Sequence, residues 1–219
     1  PIYYHLKGEG TLDLPEALVF ATGANRWHRF DQWPPAAARA EQLYLTRTGG
    51  LSFEAPQGSG FVEYLSDPDK PVPHAEGNPS GMTPEYMTDD QRFASRRPDV
   101  DVFQTPALED SLTLAGPVEA VLYVSTSQTS ADWVVKLIDV YPPCEAYPAG
   151  CALNLTDGIM RMRFRHGFER EEPAARGQIC ELRFELYPTA NRFMAGHRIR
   201  VDISSSNFPR FELNPNTGG

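Results

Sequence analysis

The sequence predicts an all-β protein, a β-sandwich or jelly roll, and three observations carry that prediction. Several stretches alternate apolar and polar residues with a period of two: Val118, Ala120, Leu122 and Val124 in one, Met160, Met162 and Phe164 in another, and the runs ICELRFEL and HRIRVDISSS. That is the pattern of half-buried strands. Seventeen glycines and 20 prolines break the 219 residues into short elements. Helical periodicity of useful length is missing after Gly10, apart from a short turn at PPAAARAEQ. Short strands joined by Pro/Gly turns build sandwiches and jelly rolls.

Taken in order, PIYYHLKGEG reads as the last turns of a helix that Gly8 and Gly10 end, with Pro1 cutting off its body. Leu18 to Ala21 follows as a strand, and NRWHRFDQWPP as an aromatic-rich loop. EQLYLTRTGGLSFEAP reads as a hairpin turning at Gly49-Gly50. From about Phe61 to Pro106 the chain is loop-rich. A loop of that length in a compact domain is functional or disordered, and Met82, Tyr86, Met87 and Phe93 argue against disorder. The dense β signal begins at DSLTLAGPVEAVLYVSTS. WVVKLIDVYP is nearly continuous apolar, as for a strand covered on both faces. IMRMRFRHGF places Arg161, Arg163 and Arg165 opposite its apolar side, on a face expected to be exposed and paired with neighbours such as Glu181 and Glu185.

Composition sets outer limits. Hydrophobic content of 41% with 22% charged residues is ordinary for a globular chain, and the core is large enough to need no staples. A net charge of −9 with scattered basic residues argues against a nucleic-acid surface. No apolar run approaches the length that spans a bilayer. Of the three cysteines, Cys180 falls on the apolar side of its run as a buried thiol. Cys144 and Cys151 lie close in one loop, and a disulfide between them stays open. No paired thiolates with histidine suggest zinc, and no cofactor or metal is expected. Periplasmic or secreted and cytoplasmic locations both remain open.

A reaction centre is hard to find. G-x-S-x-G is absent, and the cluster GSGF has neither its spacing nor a helix after it. His197, before a strand, reads as a hydrogen-bonded structural residue, and His166 as solvated. His28 and His74 lie in loops without a Ser or Cys partner implied by spacing. Asp67-x-Asp69, Asp89-Asp90 and Glu169-x-Glu171-Glu172 are carboxylate clusters whose spacing says nothing of the cleft geometry that acid–base work needs, and EREEP reads as a solvated loop.

The motifs LKGEG, NRWHRFDQWPP, YLSDPDKPVPH, DQRFASRRPDVDVFQTPAL, SADWVVKLIDVYP, GIMRMRFRHGF and GHRIRVDISSSNFPRFELNPNTGG occur in the order seen in one hydrolase family. The chain resembles, over nearly its whole length, the C-terminal part of the family of X-Pro dipeptidyl-peptidases, bacterial cocaine esterase, α-amino acid ester hydrolases and glutaryl cephalosporin acylases. YLSDPDKPVP, DDQRF and DWVVKLIDVYP look closest to the ester hydrolase and acylase branch. Members of the family have an α/β-hydrolase domain with a Ser-Asp-His triad, a helical cap and a C-terminal jelly roll of galactose-binding-like type. The resemblance implies that residues 1–10 end the last helix of an upstream α/β-hydrolase domain. Residues 11–219 would be the jelly roll, which in the family continues with a further segment. It implies no catalytic residue in this chain, which alone would be inactive. The hydrolase and cap domains of the same protein would be its partners, and a small ester, amide or peptide its substrate, with self-association left open. It makes Met82, Tyr86 and Met87 candidate pocket-lining residues, and Asp90, Gln91 and Arg92 candidate anchors of their loop. The rivals are a stand-alone carbohydrate-binding module with aromatics exposed in NRWHRFDQWPP, and a purely structural or dimerising domain.

Overall fold

A computed structural model describes residues 2–77 and 88–216. Its one short α-helix, α1 (Ile2–Lys7), stops at Gly8, whose φ of 67° lets its amide bond back to the Tyr4 carbonyl at 3.0 Å. Ten strands follow among the described residues: β1 (Ala17–Ala21), β2 (Arg26–Phe30), β3 (Tyr44–Leu45), β4 (Leu51–Ser52), β5 (Asp101–Gln104), β6 (Leu112–Val124), β7 (Asp132–Tyr141), β8 (Cys151–Arg161), β9 (Cys180–Phe193) and β10 (Arg198–Ser204). They form an all-β sandwich. No described helix is long and apolar enough to cross a membrane.

One layer is a four-stranded antiparallel sheet in the order β5-β10-β7-β8; the other is the long antiparallel pair β6-β9. The core lies between them. Phe103, Val135, Leu137, Ile199 and Ile203 come from the first sheet, and Ala120, Leu122, Val124, Leu182, Phe184 and Phe193 from the second. Apart from Phe193, which a bulge in β9 between Leu186 and Thr189 brings onto the same face, these are the alternate positions of each strand, so the period-two pattern in the sequence is the inner face of each sheet.

Two elements differ from their sequence reading, and a third answers a question the sequence left open. The aromatic stretch RWHRF is a strand, β2, paired with β1 from Ala17↔Phe30 to Ala21↔Arg26. The hairpin turn docks on β9: Thr22 exchanges backbone bonds with Ala190 and Arg192, and Gly23, at φ 74°, lies so close that a Cβ would fall 2.1 Å from the Arg192 carbonyl oxygen. Only glycine fits there. Second, the alternation after Met160 does not continue as a strand. β8 ends at Arg161, and Met162–Phe164 is a 3-10 turn, because the Met162 amide bonds to the Ala131 carbonyl at 2.9 Å and carries its side chain into the core. The three arginines are therefore not an exposed face paired to Glu181 and Glu185. Their side chains are 28%, 16% and 9% exposed, and their partners are Asp132, Glu171 and Glu172. Third, Cys144 and Cys151 are both free: Cys151 is buried at the start of β8, opposite Tyr141, while Cys144 faces solvent from the loop.

Candidate functional site

The outer face of the four-stranded sheet, away from the core, is where the chemistry collects. Lys136 on β7 stands opposite Asp157 on β8 and Asp202 on β10. Arg200, two residues before Asp202 and so on the same face, grips its carboxylate with Nε at 2.8 Å and Nη2 at 2.7 Å. Arg210, from the stretch after β10, reaches Asp157 at 3.0 Å, and the Asn207 amide donates to the same carboxylate at 3.4 Å. Lys136, Asp157, Arg200 and Asp202 are all buried. Charges in that position persist only when paired and hydrogen-bonded. Burial lifts the Asp202 carboxyl above its usual range, against the pull of Arg200 and Lys136.

Loops cover this face and are tied to it. A 3-10 helix, Gln91–Arg96, starts with Asp90 as its cap. Asp90 Oδ1 accepts from the amides of Arg92 (3.1 Å) and Ala152 (3.2 Å), and Oδ2 accepts from Arg92 Nε at 2.6 Å. Burial alone would raise the Asp90 carboxyl, but these donors outweigh it and hold it below the ordinary range. Arg92 also donates to the Ala149 carbonyl at 2.7 Å. Gln91 is fully buried. Its Oε1 accepts from Lys136 Nζ at 3.0 Å, and its backbone carbonyl from Arg200 Nη2 at 3.0 Å. A small apolar cluster of Val72, Ala94 and Val100 seals one end.

Of the residues singled out from sequence, Asp90, Gln91 and Arg92 thus sit together at the start of this helix, bonded to β8 and to the charged face. Met82, Tyr86 and Met87 lie outside the described residues. Lys136, Asp157, Arg200 and Asp202 were missed.

His197 Nδ1 lies 2.8 Å from Asp139 Oδ1, with the Asn191 amide donating to the other carboxylate oxygen at 3.2 Å. Thr22 donates to Asn191 Oδ1 at 2.7 Å, so the cluster fastens the β1-β2 hairpin to the sandwich. Among the described residues no serine or cysteine hydrogen-bonds His197, so the pair lacks a nucleophile. His74 is buried, not free in a loop, with Nδ1 3.2 Å from the Phe208 carbonyl oxygen. His28 is on β2, stacked on Phe30 at 5.9 Å. His166 is solvent-facing and pairs with Glu172.

Two apolar surfaces complete the picture. Trp27 is 65% exposed on the hairpin, edge-on to Phe20. A large cleft runs beside β6, with Tyr64, Leu122, Trp133, Val135, Phe193 and Ile203 among its lining.

With this geometry in view, the comparisons with known proteins are specific. The family model of the X-Pro dipeptidyl-peptidase C-terminal non-catalytic domain matches residues 9–219. A cocaine esterase from Rhodococcus sp. is 35% identical over 226 residues, covering 98% of this chain and 38% of the esterase. A putative serine esterase of Mycobacterium bovis is 25% identical, covering 98% of the chain and 36% of its own length. Among solved structures, an aminopeptidase from a marine-sediment Thaumarchaeota archaeon superposes with a TM-score of 0.90 at 40% identity, over 98% of this chain and 37% of that one. An α-amino acid ester hydrolase does so with a TM-score of 0.87 at 36% identity, over 99% and 38%. The chain therefore spans little more than a third of the length of these relatives.

Proposed function

Because the chain belongs to the X-Pro dipeptidyl-peptidase C-terminal non-catalytic domain family, we propose that it packs on the α/β-hydrolase domain of a serine hydrolase and helps wall its substrate pocket. The parent protein cleaves ester or amide bonds, acyl or dipeptidyl, through an acyl-enzyme formed on a Ser-His-Asp triad in that hydrolase domain. Residues 1–10 end the last hydrolase-domain helix, and residues 11–219 are the jelly roll. A further segment of the parent covers Phe61, Leu65 and Ile179 along the cleft beside β6, apolar side chains that are 85%, 84% and 71% exposed in this chain.

One observation carries the pocket-wall reading: the chain directly after residues 78–87 is bolted to the backbone around the start of β8 by Asp90 and Arg92 and to a buried charged face by Gln91. Fixed supports of this kind are what a specificity segment needs, since a misplaced wall loses selectivity. Met82, Tyr86 and Met87 then supply adaptable thioethers and an aromatic ring to the acyl or side-chain subsite. The test is steady-state kinetics of the full-length protein with Met82→Ala, Tyr86→Ala and Met87→Ala. The reading expects KM for substrates with large apolar groups to rise about tenfold, the worth of one buried contact of this size, with small substrates little affected. Unchanged KM for every substrate would overturn it.

The exposed Trp27 beside Phe20 favours one second reading, a sugar platform. Titration with oligosaccharides, followed by Trp27 fluorescence, decides it. Saturable quenching that Trp27→Ala abolishes supports sugar binding, and its absence leaves the hairpin as a packing surface.

A further inference from the structure

The loop that joins β7 to β8, residues 142–150, has Cys144 near its start, and Cys151 opens β8 directly after it. Its two arms cross closely. A Cβ added at Gly150 would lie 2.7 Å from the Tyr141 carbonyl oxygen, 3.6 Å from the Pro143 nitrogen and 3.7 Å from the Pro142 carbonyl carbon. Cys144 follows Pro143 and Cys151 follows Gly150, so the two cysteines flank one backbone contact. The Tyr147 carbonyl ties the arms again, accepting from the amides of Cys144 and Gly150, both at 2.9 Å. The thiols differ in access. Cys144 is exposed and Cys151 is buried. Burial pushes the Cys151 thiol up, with Asp90 adding to the rise, so Cys144 is the thiol an outside reagent meets first.

This loop is also what Asp90 and Arg92 hold. Arg92 Nη1 donates to the Ala149 carbonyl at 2.7 Å, and the Ala152 amide donates to Asp90 Oδ1 at 3.2 Å. Cys151 therefore lies between the two points at which the chain after residues 78–87 is anchored.

We propose that Cys144 and Cys151 form a reversible disulfide that stiffens the β7–β8 loop as the anchor for Asp90 and Arg92. The oxidant is a small disulfide such as glutathione disulfide. The Cys144 thiolate attacks one of its sulfurs, giving a mixed disulfide and releasing one glutathione thiol. The Cys151 thiolate then attacks the Cys144 sulfur and releases the second. The protein loses two S–H bonds and gains one S–S bond, and its two electrons and two protons leave on the two glutathione thiols. The cross-link closes a short ring and removes open states of the loop, so the contacts at Ala149 and Ala152 break less often. Any consequence for catalysis rests on the pocket-wall reading, whereas the cross-link and its effect on the anchor do not.

The experiment equilibrates the full-length protein in glutathione buffers of graded oxidised-to-reduced ratio. Free thiols are then blocked in acid denaturant, and unreduced peptides are mapped by mass spectrometry. The wild type gives a Cys144–Cys151 linked peptide that excess thiol reverses. Cys151→Ser keeps one glutathione on Cys144, and Cys144→Ser gives neither linkage nor adduct at Cys151. Hydrogen–deuterium exchange of the oxidised and reduced forms then reads the anchor. On oxidation, protection of peptides from 88–97 rises about fivefold in the wild type and not in Cys144→Ser, the scale of part of the loop-closure entropy acting on a local opening. Peptides from β6 and β9 keep the same protection in both forms. Glutathione held on Cys144 with Cys151 still free in the wild type overturns the proposal, and so does a linked peptide with unchanged protection at 88–97. If the linkage forms and protection rises, yet KM for substrates with large apolar groups is the same in both redox forms, the disulfide stands and the pocket-wall reading is what fails.

Discussion

On its inner face the four-stranded sheet presents Phe103, Val135, Leu137, Ile199 and Ile203 to β6 and β9. On its outer face, one residue along the same strands, it presents Lys136, Asp157, Arg200 and Asp202. Both faces are out of water, and they obey different rules. Apolar contacts are non-directional, and each contributes roughly in proportion to the area it buries. Paired charges gain little net free energy over an apolar replacement, yet losing one partner is severe. The inner face therefore supplies stability, while the outer face fixes where the covering loops lie.

Removing one partner from the outer face is the most severe way to break this contrast. Asp202→Ala leaves Arg200 buried without its carboxylate, and the expected cost is about 3–5 kcal/mol in a urea titration. The double change Arg200→Met with Asp202→Leu recovers part of it, because the guanidinium is no longer buried without its carboxylate, while Lys136 still loses the attraction of Asp202. On the inner face, Leu182→Ala costs about 2–5 kcal/mol for a side chain with 0% exposure. No second truncation restores that loss, since a cavity only grows.

Acidity sharpens the comparison further. Lys136 binds its proton less tightly folded, at about 8, than unfolded, at 10.5. The unfolded chain therefore holds more protons across that window, and stability rises with pH between those values. Thermal midpoints of the wild type should gain on those of Lys136→Met over that range and run parallel below it. The smallest effect is at the rim: Asp90→Ala removes a helix cap and costs about 1 kcal/mol. Because the Asp90 carboxyl is held low when folded, its contribution is present above the ordinary carboxylate value and fades as pH falls below it. A melting series down to pH 3 reads that difference.

The same contrast explains what could be read from sequence. The inner face was legible because a period of two survives any context: Ala120, Leu122 and Val124 could point only one way together. The pattern misled at Met162, where a backbone bond to Ala131 turns the chain while the side chain still faces the core. β2 was hidden because RWHRF has few apolar residues, and its pairing depends on the glycine turn seated against β9. The outer face was illegible for another reason. A buried Lys136 or Asp157 looks in sequence like any solvated charge, and its partners come from β8, β10 and the stretch after it. Asp90, Gln91 and Arg92 came into view only through the resemblance of DDQRF to a known motif, whereas their bonds to Ala152, Lys136 and Ala149 required the fold.

The central claim is that this non-catalytic sandwich lends its outer-face loops to a neighbouring active site. The most direct test labels the full-length protein with a serine-reactive probe carrying a photoactivatable tail, then maps both attachment points by mass spectrometry. The account predicts the nucleophile outside these 219 residues and the photo-adduct within residues 78–97. A reactive serine inside this chain, or photo-adducts confined to other parts of the protein, would contradict it.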